Sequence, residues 1–150
     1  MATYTGTINV GATEISNLEF HRMFVMKMRL VIATEMAAQT TPAANGYFTI
    51  ADVIKMATWP ARCVPLLLMT EVVTPSTAAA TADIGFAGGQ ELEAGFDCDA
   101  AAGTCTTDSC MDAAVASGFI DGDTVDFEVL TANMSDGDYR FYIVGFDMDA

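Results

Sequence analysis

From Leu18 to Ile32 the side chains alternate: even positions read Leu, Phe, Arg, Phe, Met, Met, Leu, Ile, and odd positions read Glu, His, Met, Val, Lys, Arg, Val. A period of two predicts a strand or a bent pair of strands. A helix is the competing reading, because Met, Leu, Lys, Arg and Glu are good helix formers and Phe20, Met23, Phe24, Met28 and Val31 would share one helical face. The stretch QTTPAANG, with Pro42 and Asn45-Gly46, is turn chemistry. Beyond it, residues 47 to 57 and 63 to 74 read as strands separated by TWPAR, where Pro60 lacks the donor that a ladder needs. The second of these, CVPLLLMTEVVT, is apolar on both alternating faces, with Val64, Leu66 and Leu68 on one and Leu67 and Met69 on the other. Such a strand is either central in a layered core or sandwiched between the core and a neighbouring subunit, and Pro65 near its start suggests an edge, which favours the subunit reading.

Residues 78 to 86 read as a strand of small residues. The segment 87 to 110 then combines Gly88, Gly89, Gly95 and Gly103 with alanines, acids and three cysteines, and predicts one long acidic Gly/Ala-rich loop. Met111 to Ala116 suits a single helical turn or an irregular link. Residues 124 to 130 alternate cleanly, Val125, Phe127 and Val129 inward against Asp126 and Glu128 outward. The turn ANMSDGD leads, as an expected hairpin, into residues 139 to 146, apolar on both faces: Tyr139, Phe141 and Ile143 against Tyr142 and Val144. With residues 3 to 10 this makes seven or eight strands and few helical cues. The expected fold is an all-β antiparallel β-sandwich, jelly-roll or Greek-key like, in a single domain over residues 1 to 150 with residues 1 to 12 as an extended N-terminal arm.

Length supports that reading, since 150 residues bury enough surface to fold without a metal or disulfide. Composition adds something new. Hydrophobic residues make up 52% of the chain and mean hydropathy is +0.35, so some apolar surface is expected to face another subunit. Against this, 20 acids and 6 bases leave a net charge of -14. Nucleic acid is excluded as a partner, because binding a phosphate backbone requires Lys and Arg to neutralise it, and an anionic membrane is disfavoured for the same reason. The acidity keeps the chain soluble and is suited to steering a basic partner. The start MATYTGTINVGATEIS has neither a charged n-region nor an apolar core, and the apolar runs are far shorter than the ~20 residues that span a bilayer, so synthesis and folding in a cytoplasm are expected.

Candidate chemistry is sparse. His21 is the sole imidazole and lies among ordinary surface residues, with no nucleophile in local reach. The chain carries no GxSxG, no phosphate loop ending in lysine and no HExxH, so no catalytic residue, no cofactor and no enzyme activity are expected. Carboxylates two apart in FDCDAAAGT and IDGDTVDFE suggest calcium, but both fail the EF-hand spacing at Ala101 and Val125. Turn-forming aspartates, or a looser site of Asp121, Asp123 and a carbonyl, remain. Cys63, Cys98, Cys105 and Cys110 are read as free thiols, with a disulfide within 98 to 110 as the alternative; zinc lacks its CxxC pair and any nearby histidine. Met23, Met26 and Met28 are expected as core filler.

The run from Asp52 to Thr104 carries a further signal. Asp52-Val53-Ile54, Pro60, Glu71-Val72-Val73-Thr74, Ala82-Asp83-Ile84-Gly85 and Gly95-Phe96-Asp97 follow in an order that resembles the head decoration, or capsid cement, proteins of tailed bacteriophages. The resemblance covers about a third of the chain, in motifs of low complexity; Cys98, Cys105 and Cys110 depart from it. It implies a β-sandwich subunit, commonly a homotrimer, on the capsid exterior of a virion, which stabilises the shell by bridging subunits of the major capsid protein. On this reading Tyr4 and Ile8 of the arm, and Leu67, Met69, Tyr142 and Val144 of the doubly apolar strands, make capsid or subunit contacts. A carbohydrate-binding or adhesive β-sandwich, such as a tail or fibre component, is the alternative, with Trp59, Tyr4, Tyr47 and Tyr142 as platform aromatics.

Overall fold

A computed structural model of the chain describes residues 3–5, 11–14, 23–38, 46–86, 90–110 and 123–147. Ten strands and one short helix follow in order: β1 (Thr3–Thr5), β2 (Gly11–Glu14), β3 (Met23–Val31), α1 (Ile32–Ala38), β4 (Val53–Thr58), β5 (Cys63–Thr74), β6 (Thr81–Phe86), β7 (Gln90–Asp97), β8 (Cys105–Ser109), β9 (Thr124–Val129) and β10 (Asp138–Asp147). They form two five-stranded sheets, ordered β1-β4-β9-β6-β7 and β2-β3-β10-β5-β8. Without β1 and β2, each sheet has four strands, and the chain changes sheet at every step from β3 to β10 except between β6 and β7. This is the jelly-roll form of the antiparallel sandwich. The two N-terminal strands extend one side of it: β1 runs parallel to β4, and β2 antiparallel to β3.

The period-two pattern builds the core directly. Met26, Met28 and Leu30 of β3, Leu68 and Val72 of β5, and Tyr139, Phe141 and Ile143 of β10 point inward from one sheet. Ile54 and Met56 of β4, Ile84 and Phe86 of β6, Phe96 of β7, and Val125, Phe127 and Val129 of β9 meet them from the other. Aromatic contacts join the layers: Phe127 stacks on Tyr139 with ring centroids 6.0 Å apart, and Phe96 meets Tyr139 edge-on at 5.4 Å. Such contacts add specificity to the roughly 25 cal/mol gained per Å² of buried apolar surface. The strand reading of residues 23 to 31 therefore holds, and Met26 and Met28 are core residues while Met23 is exposed.

Several expectations need correction. The segment 87 to 110 is not one long loop: residues 90 to 97 and 105 to 109 are strands β7 and β8, one at the edge of each sheet. Composition does not show this because strand formation at an edge depends on what the neighbouring strand offers: β6 pairs with β7 through an irregular ladder, and residues 67 to 71 of β5 pair with β8. The expected hairpin between residues 124–130 and 139–146 does not form, since β9 and β10 belong to opposite sheets. The turn instead crosses the sandwich, and Asp136 fastens it by accepting hydrogen bonds from the Thr77 amide at 2.9 Å and the Thr77 hydroxyl at 2.8 Å.

Leu66 and Leu68 do not share a face. A bulge pairs Val144 with Leu67 but Gly145 with Pro65, so the inward parity switches from Cys63 and Pro65 to Leu68, Thr70 and Val72. Nor is β5 an edge strand: Pro65 lies beyond the point where β8 stops pairing, at Leu67. The strand predicted from residue 47 begins only at Val53. Phe48 makes an isolated bridge with Met134, and Ala51 adopts a positive φ of 68°.

The Asp136 clasp carries a pH prediction. Its carboxyl is held below the usual 3.8, first by the Thr77 amide, so the contribution to stability is complete above pH 3.8 and is lost as pH falls through the lower folded value. Asp136→Asn is expected to lower the thermal midpoint at pH 7 and leave it nearly unchanged near pH 2. Equal losses at both pH values would show that the contribution is not ionic.

Candidate functional site

Strand register gathers four of the six residues selected from the sequence. On the outer face of the β2-β3-β10-β5-β8 sheet, Val144 pairs with Leu67 and Tyr142 with Met69, so the four side chains form one contiguous half-buried patch. Strand β3 widens it: Val25 stands beside Val144, Lys27 beside Tyr142 and Met23 beside Phe146. Met23, 44% exposed, is one of two exposed large hydrophobic residues among those described. Val25, Met23 and Phe146 were missed from the sequence, although the parity of residues 18 to 32 and 139 to 146 already placed each on the second face of its strand. Tyr4 lies elsewhere, on β1 in register with Ile54 of the opposite sheet. Ile8 lies outside the described residues.

Charge is compensated around this patch. Arg29 binds Asp138 through two nitrogens, at 2.9 and 2.6 Å, and Arg140 reaches Glu71 at 3.1 Å. Both carboxylates are thereby matched, and Lys27 adds a positive charge. The outer face of the other sheet has the opposite character. There Asp83 and Glu128 are paired across β6 and β9, and Asp126 faces Lys55 across β9 and β4. Burial pushes the Asp126 carboxyl up despite its hydrogen bond from Thr124 at 2.6 Å and the nearby Lys55 charge. One face of the sandwich is thus apolar with matched charges, and the other is acidic.

Other candidates come out differently. Trp59 is fully buried, with its indole N–H donating to the Cys63 carbonyl at 2.9 Å, which removes it as a sugar platform; Tyr47 is half-buried. His21 and Asp121 lie outside the described residues. Asp123 accepts from the Thr124 amide at 2.7 Å, and among the described residues no three His, Cys, Asp or Glu side chains gather as a metal site. Asp97 accepts from the Asp99 amide at 3.2 Å, a local aspartate turn.

All four cysteines are free thiols. Cys98 and Cys110 are buried and each is pushed up to about 12, chiefly by desolvation, so neither is a reactive thiolate at neutral pH. Among the described residues no helix is long and apolar enough to cross a membrane.

No protein-family model matches the sequence, and no curated protein matches it. Solved structures do. A chain of the cyanophage Pam1 capsid asymmetric unit aligns over 95% of this chain and 86% of its own, with a TM-score of 0.49 and 15% identity. One from the acidic stable capsid structure of Helicobacter pylori bacteriophage KHP30 aligns over 91% and 93%, with a TM-score of 0.47 and 13% identity. A chain of the capsid of Ralstonia phage GP4 aligns over 99% of this chain and 100% of its own, with a TM-score of 0.62 and 11% identity. At that identity the agreement is one of fold, and it runs the full length of both chains.

Proposed function

We propose that this protein is a structural component of a bacteriophage virion that sits on the outer surface of the capsid, binds the major capsid protein and stabilises the shell by bridging its subunits. The observation that carries the reading is the match in fold to a chain of the Ralstonia phage GP4 capsid, which covers 99% of this chain and 100% of that one. The two outer faces support it. A protein that clamps a shell needs one adhesive surface and one that stays hydrated, and the apolar face over β3, β10 and β5 and the acidic face over β9 and β6 have those properties. Self-association as a homotrimer belongs to the same reading, as does the absence of nucleic acid, membrane and cofactor from its partners.

The test has two stages. Gradient-purified particles of the source phage are analysed for the chain by mass spectrometry, and its absence from them would overturn the proposal. Purified protein is then bound to shells stripped of it, and its native mass is measured by light scattering. A species at three times 15.9 kDa is expected. The double variant Leu67→Asp, Val144→Asp leaves the core intact and is expected to weaken shell binding at least a hundredfold, about 2.7 kcal/mol, because two desolvated carboxylates would enter the centre of the contact. Unchanged binding would mean that the contact is made elsewhere.

A further inference from the structure

The sides of the two sheets opposite β1 and β2 end in β7 and β8. Between these edges lies a carboxyl group in an unusual position. Glu93 pairs in register with Ile84, an inward residue of β6, so its side chain enters the gap between the sheets. Its Oε1 accepts a hydrogen bond from the Thr106 hydroxyl of β8 at 3.1 Å, and Thr106 in turn shares a short hydrogen bond with the buried Thr70 hydroxyl of β5. Its Oε2 is shielded from solvent and has no hydrogen-bond partner among the described residues.

Among the described residues no cation acts on this group. From β8 the nearest charge is Asp108, which has the same sign. The buried thiols Cys98, after β7, and Cys110, after β8, are close enough for the Glu93 charge to raise them both. Strand β5 contributes Thr70 inward and turns Glu71 outward to Arg140, while β6 turns Asp83 outward to the Gly95 amide. Among the described residues the anion is therefore solvated only by hydroxyls. A neutral acid would avoid the cost of a shielded charge and could still accept from Thr106.

We propose that Glu93 is a proton-sensitive latch between β7 and β8, tight when the carboxyl is neutral and loosened when it ionises. Burial, the largest cause, raises its affinity for a proton above the ordinary value of 4.5. A raised acid binds more protons in the folded than in the unfolded state, so stability increases as pH falls through the folded value and levels off below about 4.5. The part of the fold that responds is β8, a short edge strand whose five residues are all exposed. Under the capsid reading the latch would couple an open edge to the acidity of the medium, but the inference stands on the geometry of the isolated chain and does not need that reading.

Amide hydrogen exchange of residues 105 to 109 and thermal midpoints are measured between pH 4.5 and 8 for the wild type, Glu93→Gln and the charge-matched control Glu128→Gln on the acidic outer face. The control matters because every acid of a chain with net charge -14 gains from a lower pH. Wild type and control are expected to protect β8 increasingly as pH falls. Glu93→Gln is expected to be protected at all pH values, with a midpoint about 2–4 °C above wild type at pH 8. Parallel pH profiles for Glu93→Gln and wild type would overturn the latch. So would protection of β8 in the wild type that does not change with pH. If Glu93→Gln does not fold, Glu93→Leu serves for the same comparison.

Discussion

Replacing Trp59 with alanine is expected to cost about 4 kcal/mol of stability, the largest loss from any single substitution considered for this chain. Trp59 is fully buried beside the end of β4, and its ring lies against Phe24 of β3 at 5.4 Å and Phe86 of β6 at 5.7 Å, so it closes one end of the sandwich from both sheets. Its N–H donates to the Cys63 carbonyl, where the chain turns into β5. Alanine leaves a cavity and removes this donor from the carbonyl together. Urea unfolding of the wild type can be followed by the emission of this single tryptophan, and of the variant by circular dichroism. The midpoint should fall while the denaturant slope stays constant. A loss below about 1 kcal/mol would mean that the surrounding aromatics collapse into the space. Trp59→Phe, which retains most of the ring contact, is expected to cost roughly half as much and covers the case in which the alanine variant does not fold.

The second large effect is the reverse one, overfilling. Gly145 lies on the inward face of β10, directly beneath the same aromatic pair, and a Cβ placed there would stand 2.8 Å from Cε1 of Phe24 and 2.9 Å from Cη2 of Trp59, with Phe24 Cζ closer still. No real Cβ tolerates such contacts. Gly145→Ala is expected to cost about 1–3 kcal/mol, measured by the same denaturation series. Phe24 is only half-buried and has room to yield, so shortening it should relieve the clash. The double variant Gly145→Ala, Phe24→Leu is expected to lose less than the sum of its parts by about 1 kcal/mol. Strict additivity would show that the backbone of β10, and not Phe24, gives way.

These two residues explain why the alternative reading as a sugar-binding module looked reasonable from the sequence. Trp59 follows a strand and precedes Pro60, where an exposed aromatic platform would be expected. Nothing local shows that a glycine 86 positions later clears the space into which the indole folds. The candidate docking face was legible for a related reason, working in the opposite sense. Leu67, Met69, Tyr142 and Val144 stand on the second faces of strands whose first faces are plainly core, and alternation within each segment is a local property. What the segments could not show was that β5 and β10 are neighbours in register, which turns four separate residues into one surface.

The chain's local chemistry determined the all-β class and the inward rows of β3, β9 and β10, because a period of two assigns each side chain to a face without reference to any partner. Partners were decided only in three dimensions. Whether residues 90 to 97 become a strand depends on the ladder that β6 presents, and whether β9 turns back on itself or crosses the sandwich depends on where Asp136 finds Thr77. The bulge at Leu66 inverts the parity of half a strand, at the point where β10 makes room for Gly145. Each of these is settled by contacts between residues distant along the chain, whose closure entropy is offset only by the complete assembled core.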